Sequence, residues 1–261
     1  MKGFVAALLL ATLSGSSAAL LLLLFKNKLV KRFGGAWYYY LWLPVLVLFL
    51  VGARPEIPVF SPVHSQITRP AAKVAADDAG QVMPETEAPP NAGAAPGIAR
   101  QARIPVPRIE ELLFLIWLAG FLGSLLRYFI SYFRFLRRTL NREAAFCAQG
   151  MEVYITARVV SPVLVGFFRP RLVLPDIPLD GPELSFILRH EQIHRRRRDI
   201  WYKFAAVLAC SAHWFNPLAY LMVSTIGEAC EYSCDQAVIK GMEPPERQQY
   251  SETILNVASH S

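Results

Sequence analysis

Charge is scarce in this chain, and acid is scarcer than base. Of 261 residues only 18% are Asp, Glu, Lys or Arg, whereas 54% are hydrophobic; that balance is too apolar for a soluble globule of this length and predicts membrane spans. The shortage of acid leaves a formal net charge of +7, which could suit a nucleic-acid partner. The Lys and Arg residues, however, gather beside apolar runs and no reader motif accompanies them, so direct nucleic-acid binding is not expected. Cysteine is sparse too. Cys147, Cys210, Cys230 and Cys234 do not make a secreted disulfide framework, because Cys230 and Cys234 fall one turn apart on an expected helix, where bridging geometry is poor. Reduced thiols facing the cytosol are the simpler account. Histidine is rare, with five in the whole chain, so two of them in register carry information.

The apolar residues fall into runs. Gly3 to Phe25 is long enough to cross a hydrocarbon core of about 30 Å and passes straight into Lys26. The alternative, a cleaved signal peptide, lacks a small-residue cleavage site followed by a polar start. Lys26, Lys28, Lys31 and Arg32 then precede a second run from Trp37 to Val51, which opens with Trp37, Tyr38, Tyr39, Tyr40 and Trp42, aromatics suited to a headgroup belt. A third run, Leu112 to Leu126, is extended by aromatics to Phe133 and meets Arg134, Arg137, Arg138 and Arg142. Both basic clusters mark the same, cytoplasmic side, so three crossings predict that everything beyond Arg142 is cytoplasmic. Between the second and third runs the composition turns to Pro, Ala and small polar residues. Such a stretch cannot recover its ordering entropy and is expected to be a flexible extracytoplasmic linker, with a sensing role as the alternative.

The domain plan that follows has four parts: residues 1–53 with two transmembrane helices and a basic cytoplasmic loop, a Pro/Ala-rich loop over 54–110, a third transmembrane helix over 111–135, and a cytoplasmic domain over 136–261. In that last part Glu152 to Thr156 alternates as a strand and Arg171 to Leu174 reads as another, so a small sheet is expected. Asp180-Gly181-Pro182-Glu183 has the composition of a helix start. Arg195 to Arg198 reads as a solvated or phospholipid-facing flank, or alternatively as a clamp on substrate or lipid. Lys203 to Ile226 is apolar and broken before Pro217, giving either a hairpin dipping into the bilayer surface or a buried helix pair; Gly227 to Lys240 reads as a further helix.

On the helix that starts at Asp180 lies His190-Glu191-Gln192-Ile193-His194. Histidines four apart project from one face, so both imidazoles can grip one metal ion while Glu191 lies beside them as general base. With so few histidines the pattern has a chance expectation below about one in a hundred. Glu231, on the next helix, completes a three-ligand set of His190, His194 and Glu231 with a fourth position open for water, the makeup of a catalytic zinc site. Asp235, one turn on, can accept the second ring N–H of a ligand histidine, and Asp199 is the other candidate for that role. His213, between the ligand-bearing helices in sequence, is a candidate donor to the tetrahedral intermediate, set against simple packing beside Trp214. Thiolate ligation by Cys230 and Cys234 would compete with Glu231; apolar filling is the commoner use of such cysteines.

These blocks, together with Ser161-Pro162, Gly166, Arg169-Pro170, Leu174-Pro175, Arg198-Asp199, Trp214-Phe215-Asn216-Pro217 and Glu231-Tyr232-Ser233-Cys234-Asp235, resemble the BlaR/MecR-type membrane zinc metallopeptidases, loosely over the spans and closely from Val153 to Ser261. The resemblance implies an α-helical membrane protein followed by a cytoplasmic α+β gluzincin-like protease domain. It also implies one zinc ion per chain, bound by His190, His194 and Glu231 with Glu191 as base. The implied role is transmembrane signalling by regulated proteolysis, often of a repressor or of the receptor itself. The full-length sensors continue into a penicillin-binding domain and this sequence stops at Ser261, so direct β-lactam sensing is not an expectation, and a truncated chain, a split gene and a sensorless member of the family stay open. The expected partners are a protein or peptide substrate, a cytoplasmic transcriptional repressor among the candidates, and the lipid bilayer; a homodimer stays open. The competing class is a catalytically silent membrane signalling or scaffold protein that keeps a structural zinc site.

Overall fold

The computed structural model describes residues 2–51, 109–140 and 144–259. The Pro/Ala-rich loop expected over 54–110 lies almost wholly outside the described residues, as does Arg142 of the second basic cluster. Helix α1 (Lys2–Leu24) is followed by the basic α2 (Lys26–Phe33), α3 (Gly35–Tyr40), α4 (Trp42–Val51) and the long α5 (Ile109–Thr139). Two helices, Phe4–Leu24 and Ile109–Thr139, are long and apolar enough to cross a bilayer, while Gly35–Val51 is a shorter apolar helix. Pro44 interrupts that shorter stretch, because it has no N–H to return to the carbonyl of Tyr40, and the break falls at Leu41. Leu9, Leu13 and Leu24 of α1, with Leu115, Leu122 and Leu126 of α5, point outward, a surface that needs lipid rather than water.

The sheet order is β1-β2-β4-β3, made from β1 (Phe146–Ala148), β2 (Met151–Thr156), β3 (Val163–Val165) and β4 (Arg171–Pro175). Strands β2 and β4 fall where the sequence predicts them, and they pair in parallel; β1 and β3 add antiparallel neighbours at the two ends. The β1–β2 turn holds Gln149 at φ 50° and Gly150 at φ 72°, the two positive φ angles that a two-residue type I′ hairpin demands. Val153, Leu172 and Leu174 form one apolar layer with Ile187 and Val257, which fixes the sheet against two of the helices that follow.

Helix α6 (Gly181–Arg197) starts at the predicted place because Asp180 and Glu183 form a reciprocal capping box, with Glu183 N–H to Asp180 Oδ1 at 2.7 Å and Asp180 N–H to Glu183 Oε2 at 3.1 Å. It ends at Arg198, left-handed at φ 57°, a conformation uncommon outside glycine. There the chain turns into α7 (Asp199–Ala212), then α8 (Pro217–Ile239) and α9 (Pro244–Ser259). The 203–226 region divides between α7 and α8, and the stretch from Gly227, expected as a further helix, is the second half of α8. α7 and α8 share the largest core with the first helices, where Trp42, Phe49, Tyr38 and Tyr39 meet Ala209, Cys210, Met222 and Ile226. α7 and α8, within the region 136–261 expected as one domain, are therefore packed directly on α3 and α4.

That packing requires small residues at the crossing. A Cβ added at Gly35 would lie 2.5 Å from Tyr232 Cδ1 and 2.8 Å from Gln236 Oε1, while the Gly35 N–H donates to the same Oε1 at 2.8 Å. Gly35→Ala is therefore predicted to destabilise the protein by about 1–3 kcal/mol through overpacking. Thermal unfolding in detergent measures this, and an unchanged midpoint would contradict it.

Candidate metal centre

Four helices and one strand surround the two histidines. His190 and His194 lie one turn apart on α6, and Glu231 reaches them from α8. Their facing atoms converge: His190 Nε2 is 3.0 Å from His194 Nε2, and Glu231 Oε2 is 3.4 Å from the first and 3.3 Å from the second. The other ring nitrogens are already engaged. His190 Nδ1 lies 3.1 Å from Asp235 Oδ1 and His194 Nδ1 lies 2.8 Å from Asp199 Oδ2. Ionised carboxylates only accept, so each Nδ1 carries a hydrogen and, in the neutral rings, each Nε2 presents a lone pair. Three acceptor atoms aimed at one another repel unless a cation lies among them. Their spacing matches the edge of a tetrahedron of about 3.3 Å expected when nitrogen ligands stand 2.0–2.1 Å from a metal.

The surrounding charges favour a cation at this point. Burial works to lower the pKa of His190, yet hydrogen bonding to Asp235 and Glu231 holds it up at about 9. Burial opposes His194 likewise, and Asp199, Cys230 and Glu231 together hold it up to about 12. Against the same desolvation, the two imidazoles and Lys203 keep Glu231 well below the usual carboxylate range. Asp199 is lowered despite its burial, by His194 and then Tyr39. Glu191 is the exception. It is 6% exposed, and burial pushes its carboxyl upward with the histidines only partly compensating.

Every site residue predicted from sequence except His213 is brought to this centre. Glu191 lines both clefts beside the donors, one of about 100 Å³ shared with Pro162, Val163, Leu164 and Lys203, the other of about 520 Å³ shared with Ser161, Ile187 and Tyr250. Asp199, the second candidate for its role, makes the shorter contact of the two aspartates, because the left-handed Arg198 swings the start of α7 back over His194. His213 requires correction. Its Nδ1 lies 2.9 Å from Thr12 Oγ1 and its Nε2 2.9 Å from the Phe49 carbonyl, so it ties α1 and α4 together and offers nothing to a reaction intermediate. The Glu231 side chain is half exposed and its Oε1 accepts from Lys203 Nζ at 3.0 Å. Arg195 and Arg197, read as flank or clamp, are spent on the Gln149 carbonyl at 2.9 Å and Ser233 Oγ at 2.8 Å.

Three residues were not anticipated. Lys203 could have been, since it is the one cation on an apolar helix just as Glu231 is an acid needing a partner. Tyr250, on α9, donates to Asp235 Oδ1 at 2.7 Å and stands 3.0 Å from His190 Nδ1; its sequence neighbourhood gives no hint of this. Tyr39 donates to Asp199 Oδ1 at 2.9 Å and is hidden among three consecutive tyrosines.

A second donor set shares His194: its Nδ1, Asp199 Oδ2 and the sulfurs of Cys230 and Cys234, all four residues buried. Cys230 is pulled down to about 6 by hydrogen bonding from Cys234, against its burial, while Cys234 is pushed up by that same bond and by burial. Its two sulfurs are buried away from the clefts, although His194 and Asp199 also line the smaller one, and the cysteines are free thiols. The His190–His194–Glu231 set opens onto the clefts and so has the access that a reacting ligand needs.

A helix carrying H-E-x-x-H, faced by a glutamate from the next helix and bordered by the end strand of a sheet, is the layout of a metallopeptidase site. The BlaR1 peptidase M56 family profile matches residues 6–261, and the chain belongs to that family. Among curated proteins, it is 26% identical over 166 residues to the methicillin resistance mecR1 protein of Staphylococcus aureus, covering 56% of this chain and 28% of the relative; the Staphylococcus epidermidis protein of the same name gives the same figures. It is 25% identical over 169 residues to the regulatory protein BlaR1 of Bacillus licheniformis, covering 58% of this chain and 28% of that one. The chain thus spans little more than a quarter of the length of the curated relatives it matches.

Raised histidine pKa values stabilise the metal-free fold fully below the ordinary value of 6.5, and for His190 this is lost as pH rises through about 9. Metal binding requires the unprotonated nitrogens and so strengthens over the same range. The gap in melting temperature between metal-loaded and metal-free protein is therefore predicted to widen from pH 6.5 to pH 9; a constant gap would contradict the arrangement.

Proposed function

We propose that this chain is an integral membrane zinc endopeptidase whose site faces the cytoplasm, and that it signals across the membrane by regulated proteolysis of a cytoplasmic repressor or of itself. The observation that carries this reading is the convergence of three acceptor atoms, 3.0 to 3.4 Å apart, beside a buried carboxyl. In this reading His190, His194 and Glu231 hold the metal, Asp235 and Asp199 orient the two rings, and Lys203 holds Glu231 by its far oxygen. When bound, zinc supplies Lewis acidity, making water acidic enough to lose a proton near neutral pH and drawing charge from a scissile carbonyl.

The remaining steps belong to the protein. Glu191 accepts a proton from the attacking water, whose oxygen bonds to the carbonyl carbon; the same carboxyl then passes that proton to the amide nitrogen as the C–N bond breaks. Burial, which raises the Glu191 pKa, suits a group that must both take and give a proton near neutrality. Among the described residues β3 is the last strand of its sheet, and its Val163 and Leu164 line the smaller cleft, so an extended substrate can pair with its outer edge through main-chain hydrogen bonds. That mode of binding tolerates many sequences and leaves selection to the flanking side chains.

The membrane orientation rests on charge. Lys26, Lys28, Lys31 and Arg32 on α2 and Arg134, Arg137 and Arg138 at the end of α5 flank apolar helices, and the positive-inside rule assigns such clusters to the cytoplasm. Lys26 also pairs with Glu228 at 3.0 Å, one turn before Glu231, which ties the first cluster to the helix bearing a metal donor. The names of the relatives speak of regulation and methicillin resistance, which supports a signalling role.

The Glu191→Gln variant is predicted to keep stoichiometric zinc and to lose proteolysis by about 100-fold or more. Coexpression with candidate cytoplasmic repressors, alongside metal analysis, measures both. Identical fragment patterns from wild type and variant would overturn the proposal in favour of a silent scaffold.

A further inference from the structure

Tyr39 lies outside the donor set yet is bonded into it. It sits on α3, directly before the apolar α4, and is 1% exposed. Its hydroxyl donates to Asp199 Oδ1 at 2.9 Å, and Asp199 Oδ2 accepts from His194 Nδ1 at 2.8 Å. One carboxylate therefore has one oxygen on the membrane-side helix and the other on a metal-donor ring. The tyrosine itself is fixed at two points: its ring packs edge-on against Tyr202 with centroids 4.8 Å apart, and the Tyr202 hydroxyl donates to the Tyr39 carbonyl at 3.2 Å.

We infer that Tyr39 is a positioning residue for His194, acting through Asp199, and that it couples the placement of the α3–α4 segment to the geometry of the metal site. This inference rests on the zinc-site reading above. The physical reason is competition around Asp199. Its Oδ2 is approached not only by His194 but by Cys230 Sγ at 3.3 Å and Cys234 Sγ at 3.7 Å. With Oδ1 held by Tyr39 the carboxylate cannot rotate, and Oδ2 stays on the ring nitrogen. Without that hydroxyl, Oδ1 becomes a buried acceptor lacking its partner, and the carboxylate turns to recover one from the thiols. His194 then loses the bond that fixes its tautomer and the direction of Nε2, and outer partners of this kind typically change metal affinity 10- to 100-fold.

The α3 helix is in turn held to the helix carrying Glu231, through the Gly35 N–H on Gln236 at 2.8 Å and the close approach of Tyr232 to Gly35. A shift of the α3–α4 segment relative to α7 therefore pulls on Asp199 and α8 together. Tyr38 and Tyr40, its neighbours in sequence, do not touch the aspartate and serve as controls.

The experiment uses the full chain in detergent and measures zinc affinity by chelator competition for wild type, Tyr39→Phe, Asp199→Asn and the double variant. Tyr39→Phe is expected to weaken zinc binding about tenfold, Asp199→Asn by as much or more, and Tyr39→Phe to add nothing in the Asp199→Asn background. Tyr40→Phe is expected to match wild type. Affinity within twofold of wild type, or an equal loss in both backgrounds, overturns the inference and leaves Tyr39 as packing alone. If Tyr39→Phe fails to fold, Tyr202→Phe takes its place: it frees the Tyr39 carbonyl and is expected to weaken zinc binding by a smaller factor, again only while Asp199 is present. Unchanged affinity there overturns the inference too. A wild-type chain that takes up no zinc overturns the metal-site reading and this inference with it, whereas zinc uptake with no response to Tyr39→Phe overturns this inference alone.

Discussion

His190 Nε2, His194 Nε2 and Glu231 Oε2 face one another across 3.0 to 3.4 Å, and with neutral rings the repulsion among their three lone pairs, relieved only by a proton or a metal ion, is the constraint that the rest of the site answers. Each is pinned from behind by a group that would otherwise be costly to keep: Asp235 behind His190, Asp199 behind His194, Lys203 behind Glu231. Those partners are held in turn by Tyr250 and Tyr39. The result is a shell of alternating donors and acceptors with one electron-rich point at its centre. Breaking any outer link lets an inner atom rotate out of the convergence, so rigidity at the centre depends on residues from α3, α7, α8 and α9.

The helices beyond the sheet share a core with the first helices. Tyr39 belongs to the apolar segment that precedes α4, and its neighbours Trp42 and Phe49 share a core with α7 and α8. His213, with its ring bonded to α1 and to the end of α4, fastens the far end of the same helix pair. A polar side chain there, satisfied on both nitrogens by groups from the first helices, marks the depth to which α7 and α8 follow the apolar bundle. The sheet packs on α6 and α9 through Val153, Leu172 and Leu174, with β3 as its last strand.

Much of this was legible in the sequence where the cause is local. The capping box at Asp180 and Glu183, the four-residue spacing of the histidines and the alternation in β2 are written in adjacent residues. Glu231 and Asp235 were legible as acids one turn apart on an apolar helix. β1 and β3 were not, because three residues are too few to show a period. The break at Arg198 carries no glycine to announce it, so the superior placement of Asp199 over His194 could not be ranked. His213 was misread because closeness in sequence to two ligand-bearing helices says nothing about which end of those helices it joins. Lys203 was available as the missing cation for Glu231. Tyr39 and Tyr250 were not, since their roles depend on helices distant in sequence crossing at the site.

The central claim is that the metal lies among two imidazoles and a carboxylate rather than among the neighbouring thiols that share His194. Zinc K-edge X-ray absorption on the stoichiometrically loaded chain tests this directly. The account predicts a first shell of nitrogen and oxygen only, near about 2.0–2.1 Å, with the multiple scattering of two imidazoles. A sulfur shell near about 2.3 Å would put the ion against Cys230 and Cys234 and contradict it.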